Sequence, residues 1–89
     1  AMLNIYKINA IKSISAEVLK EDFFNLQSYV YFRIRITSLD GLETILDYGS
    51  SEMSPLDASV IASQKENVVI VDPIYGSYVY AVSEVMVYS

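Results

Sequence analysis

From Ser28 to Ser38 the chain alternates without a break. Val30, Phe32, Ile34 and Ile36 fall on one side, and Tyr29, Tyr31, Arg33, Arg35 and Thr37 on the other. A period of two marks a strand with one buried face. The segment Ser77 to Tyr88 repeats the pattern. It sets Val79, Ala81, Ser83, Val85 and Val87 against Tyr78, Tyr80, Val82, Glu84, Met86 and Tyr88. Both segments open on Ser-Tyr-Val-Tyr, at 28–31 and 77–80. The residues around the two copies differ, so the recurrence marks two strands of one period, not a duplicated unit.

The remaining elements follow from weaker patterns. Leu3 to Ala10 alternates and predicts a first strand, with Tyr6, Ile8 and Ala10 on one face. Ser15 is placed to cap a helix whose stripe is Ala16, Leu19, Phe23 and Leu26. Ile14, Ala16 and Val18 also alternate, so the competing expectation is a longer first strand followed by a loop. Leu42 to Tyr48 returns from a turn at Leu39-Asp40-Gly41. A two-residue turn would pair Ile34 with Asp47 and place an acid on the apolar face. A three-residue loop pairs Ile36 with Thr44, Ile34 with Leu46 and Arg33 with Asp47, and keeps both faces consistent. Ser54-Pro55-Leu56-Asp57 has the composition of a helix start and predicts a short helix to about Gln64, burying Leu56, Val60 and Ile61. Val68 to Val71 reads as a buried strand, and Asp72 to Gly76 as a turn.

Together these predict an α+β domain over residues 2–89, with Ala1 a cloning remnant: a mainly antiparallel sheet of about five strands and two short helices. The first six elements follow the order of the split β-α-β (ferredoxin-like) plait, with one extra C-terminal strand. A small all-β barrel is the rival if the first helix is not a helix.

Composition narrows the chemistry more than the fold. The 89 residues contain no cysteine and no histidine. Disulfides, thiolate ligands and the commonest general base are therefore excluded. No apolar run approaches the ~18 residues of a membrane span. The start lacks a secretory h-region, and an intracellular, cytoplasmic setting is expected. Charge is divided along the chain. Five cations face three acids through Arg35, and after it Lys65 alone faces eight acids, for a net −5.

Candidate surfaces follow from the two alternating strands. Tyr29, Tyr31, Arg33 and Arg35 project from one face of the first, where rings and guanidinium groups could stack on bases. The register argued above supplies Asp47 to Arg33, with Glu43 diagonal to Arg35, so cross-strand pairing is the stronger expectation. The net negative charge also weighs against nucleic acid. Asp47, Glu52 and Asp57 flank Gly49-Ser50-Ser51 but match no cation-loop spacing. No nucleophile elbow or phosphate-cradling loop is present. No catalytic residue, metal site or cofactor is expected.

The last strand carries Tyr78, Tyr80, Glu84 and Tyr88 on one face. At a sheet edge it would expose backbone guarded by one Glu, no Lys and no Pro; in the interior it would be covered on both faces. The expectation is a non-enzymatic protein-interaction domain that self-associates as a homodimer through this strand. The alternatives are an acidic inhibitor or nucleic-acid mimic that fills the cationic groove of a target protein, and a small-ligand binder.

Overall fold

Asn4 ends the first strand after three residues, because it caps a helix. Its side-chain oxygen accepts from the Tyr6 N–H at 2.8 Å, and its own backbone is extended. In this computed structural model, which describes residues 2–25, 30–49 and 60–88, β1 is Met2–Asn4 and α1 is Ile5–Ile11. The strand expected over 3–10 is therefore mostly helix. Ile5, Ile8 and Ile11 recur every three residues, and Ile8 is buried at 4 % exposure.

A second helix, α2, starts at Ala16–Val18 and widens into a π-helical turn over Leu19–Phe23. The helix expected from Ala16 is present, so the longer-first-strand alternative is set aside. Ser15 sits at its cap position, but its side chain makes no capping hydrogen bond. The expected helix end at Leu26 lies outside the described residues. Four strands follow: β2 (Tyr31–Ser38), β3 (Thr44–Gly49), β4 (Val60–Asp72) and β5 (Ser77–Tyr88).

The strands form one sheet in the order β1-β4-β5-β2-β3. Only the β1–β4 pair is parallel. The α+β sheet with short helices is as expected, but its strand order departs from the ferredoxin-like plait, since β1 lies at an edge. The helix expected to end near Gln64 is also corrected. Val60 to Gln64 is strand, with Val60 and Ile61 56 % and 58 % exposed. The start signal Ser54 to Asp57 lies outside the described residues. Pairing with β5 over the whole length of β4 overrides the weak strand propensity of Ser63-Gln64-Lys65-Glu66-Asn67.

The β2–β3 hairpin resolves the parity problem in a way the sequence reading missed. The Ser38 N–H donates to the Glu43 carbonyl, which closes a four-residue loop, 39–42. Thr37 then faces Thr44, and a straight continuation of that register would set Asp47 opposite Ile34. A bulge at Ile45 takes up one residue. Beyond it Ile36 faces Leu46 and Ile34 faces Tyr48. The apolar face is restored, two residues out of step with the three-residue-loop register.

The core lies between α1 and one face of the sheet. Ile8 packs with Ile36, Leu46, Val68, Ile70 and Ala81. Phe32 is also buried, with Phe24 edge-on to it at 5.2 Å. The Tyr48 hydroxyl donates to the Ile14 carbonyl at 2.7 Å and ties the inter-helix segment to β3.

Candidate functional site

The opposite face of the sheet carries the residues singled out from the sequence. β2 and β5 are antiparallel neighbours, with Tyr31 facing Tyr88, Arg33 facing Met86 and Arg35 facing Glu84. Residues directly opposed in a ladder share a face. Tyr31, Arg33, Arg35, Tyr78, Tyr80, Glu84 and Tyr88 thus belong to one surface, where the sequence reading had two. Tyr29 lies outside the described residues.

Across the middle of this face runs a row of alternating charge: Lys65 on β4, Glu84 on β5, Arg35 on β2 and Asp47 on β3. Lys65 Nζ lies 3.5 Å from Glu84. Asp47 faces Arg35 across the ladder, but its bidentate partner is the diagonal Arg33, whose Nε and Nη2 donate to it at 2.8 and 2.6 Å. Arg33 was the expected partner of Asp47, and the bulge changes the geometry from opposed to diagonal. These hydrogen bonds, with the nearby Arg33 and Arg35 charges, hold the Asp47 carboxyl below the usual range against a smaller opposing effect of burial. They also push the Arg33 guanidinium further from deprotonation. Glu43, expected diagonal to Arg35, closes the hairpin loop.

The ends of the face differ. At one end Tyr31 is half-buried beneath Lys20, whose Nζ lies 4.3 Å from the ring centre. The Tyr88 hydroxyl donates to the Met86 sulfur at 3.3 Å. At the other end β5 outruns β2, because the last β2–β5 pair is Ser38 with Ala81. Ser77 to Tyr80 therefore has β4 on one flank and no described strand on the other. Tyr78 and Tyr80 are 61 % and 57 % exposed, and their rings meet edge to face at 5.6 Å. Of the two positions left open for β5, Ala81 to Tyr88 takes the interior one, and only its first four residues have a flank that no described strand pairs. Interior position does not mean full cover on both faces, since Val82, Glu84, Met86 and Tyr88 are only half-buried.

Beside this free flank is a cleft of about 200 Å³ lined by Ile5, Ile45, Ile70, Tyr78 and Val79. It is smaller than the ~300–1,000 Å³ of typical small-molecule pockets. Asp72 at its rim is engaged: it accepts from the Tyr6 hydroxyl at 3.1 Å and from the Ile74 and Tyr75 amides. Burial and the Asp72 carboxylate raise the Tyr6 phenol. Of the acids that motivated an inhibitor reading, Asp47 and Asp72 sit on strands separated by two others. Glu52 and Asp57 lie outside the described residues. Among the described residues no three Asp or Glu side chains converge as a metal site, and no helix is long and apolar enough to cross a membrane.

Lys65 belongs to the face but escaped the sequence reading, and Met86 was placed on it without being singled out. The Ser63, Lys65, Asn67 alternation was the available signal, obscured by a segment rich in helix-tolerant residues. Comparison of the chain with protein-family models, curated proteins and solved structures returns no match.

Proposed function

We propose that this protein is a non-enzymatic interaction domain that self-associates through the face of its sheet opposite α1, with Tyr78 and Tyr80 of β5 at the centre of the contact. One observation carries the reading. The start of β5 extends past β2 and presents two exposed tyrosines, in edge-to-face contact, beside a backbone flank that no described strand pairs. Tyrosine brings large contact area with few rotatable bonds and is enriched at interfaces. The charge row next to it is internally balanced, so a partner meets few uncompensated charges there. A second copy is the occupant that needs no further component. A cytoplasmic setting belongs to the same proposal.

The test is molar mass by size exclusion with light scattering. The parent chain is expected to exceed its 10.0 kDa monomer mass. The Tyr78→Ser/Tyr80→Ser variant is expected to lose mass while keeping its circular dichroism, because both side chains lie outside the core. A variant that associates as the parent does removes the reading.

A further inference from the structure

The outer flank of β4 is the longest stretch of unpaired backbone among the described strands. β1 covers only Val69 to Val71, and among the described residues those from Val60 to Val68 pair with β5 alone. Val60 to Asn67 is exposed throughout. Usual guards of an edge strand are missing. The segment has no proline, its bulge lies at the far end between Val60 and Ala62, and its one lysine, though exposed, reaches across to Glu84 of β5.

We propose that this flank pairs antiparallel with the same flank of a second copy, joining two five-stranded sheets into one of ten. Unpaired N–H and C=O groups on extended backbone are matched by another strand. A two-fold axis normal to the sheet brings identical flanks together antiparallel and keeps the two helix-bearing faces on one side. Charge selects this flank for a meeting of like molecules. The chain carries −5, which repels a second copy, but Val60 to Val68 holds only Lys65 and Glu66 and is locally neutral. With the axis at Gln64, Lys65 of each copy faces Ser63 of the other, and Glu66 faces Ala62. No like charges are directly opposed.

The inference rests on the reading of a self-associating domain but uses a separate surface, so the two can be tested apart. Sedimentation equilibrium would compare four full-length chains: the parent, Gln64→Lys, Gln64→Glu and Tyr78→Ser/Tyr80→Ser. Gln64 is exposed, so neither change at it touches the core. Each Gln64 variant alone is expected to associate about tenfold more weakly, because like charges then meet at the axis. An equal mixture of the two is expected to recover the parent mass, since Lys then faces Glu. Parent-like association of either Gln64 variant alone, or a mixture that fails to recover, overturns the edge pairing. If only the tyrosine variant loses mass, the face contact stands and the edge contact falls. If only the Gln64 variants lose mass, the edge contact stands and the face contact falls. A parent chain that stays monomeric at millimolar concentration overturns both.

Discussion

Replacing Gly49 by alanine probes how closely β3 approaches β2. Gly49 faces Arg33 at the end of the ladder. A methyl group there would run into the Phe32 carbonyl oxygen and lie 2.8 Å from Arg33 Cα and 3.2 Å from the Phe32 carbonyl carbon. All three obstacles are backbone, so no side chain can swing aside and the strands themselves must part. Forcing atoms into a packed site costs about 1–3 kcal/mol. Alanine's smaller unfolded-state entropy returns about 0.4–1 kcal/mol. The net expectation is a loss of about 1–2 kcal/mol, a fall in Tm of about 5–15 °C for a domain of this size. Thermal unfolding followed by circular dichroism measures it, with urea unfolding as a second reading. Gly41 is the control. Its φ is +75° and nothing lies within 4 Å, so asparagine, which tolerates that conformation, should be nearly neutral there and harmful at position 49. A Gly49→Ala chain as stable as the parent would refute the close approach.

Two further perturbations test the hairpin. Asp47→Asn should cost about 0.5–1 kcal/mol near neutral pH, since the Arg33–Asp47 pair is bidentate but its side chains are 41 % and 38 % exposed. Because the folded carboxyl titrates below its unfolded value of about 3.9, its contribution is complete above that pH and lost as pH falls through the depressed folded value, so urea unfolding from pH 6 to 2 should show a shallower acid limb in the variant. Tyr48→Phe removes the hydrogen bond to the Ile14 carbonyl and should cost about 1 kcal/mol. Burial raises the Tyr48 phenol, so its contribution is present below about pH 10 and lost as pH rises through the higher folded value; urea unfolding extended from neutral pH to above about pH 10 should show that alkaline loss flattened in the variant.

Much of the candidate face was legible from residue order alone. Alternation assigned Phe32 and Ile36 to the core side and Arg33 and Arg35 to the other, and burial follows that division. It identified Tyr78 and Tyr80 as outward residues and named Arg33 and Asp47 as partners. It misjudged the segments in which two periods overlap. Leu3 to Ala10 alternates, yet Ile5, Ile8 and Ile11 also recur every three residues, and the Asn4 cap decides for helix. Ser63 to Asn67 carries no strong strand preference and becomes strand because β5 offers a ladder along its whole length.

What the amino-acid order determined by itself is parity, meaning which side chains share a face, because successive residues of an extended backbone point to opposite sides whatever lies next to them. It also fixed the absence of thiol and imidazole chemistry, since no fold can supply a residue the chain lacks. Only the tertiary structure decided adjacency. The pairing of β5 with β2, the bulge at Ile45, the overhang that exposes Tyr78 and Tyr80 and the bare flank of β4 depend on contacts between residues distant in sequence. Those contacts form when residues from four strands bury their apolar side chains together beneath Ile8 of α1, a balance that no local window of the chain contains.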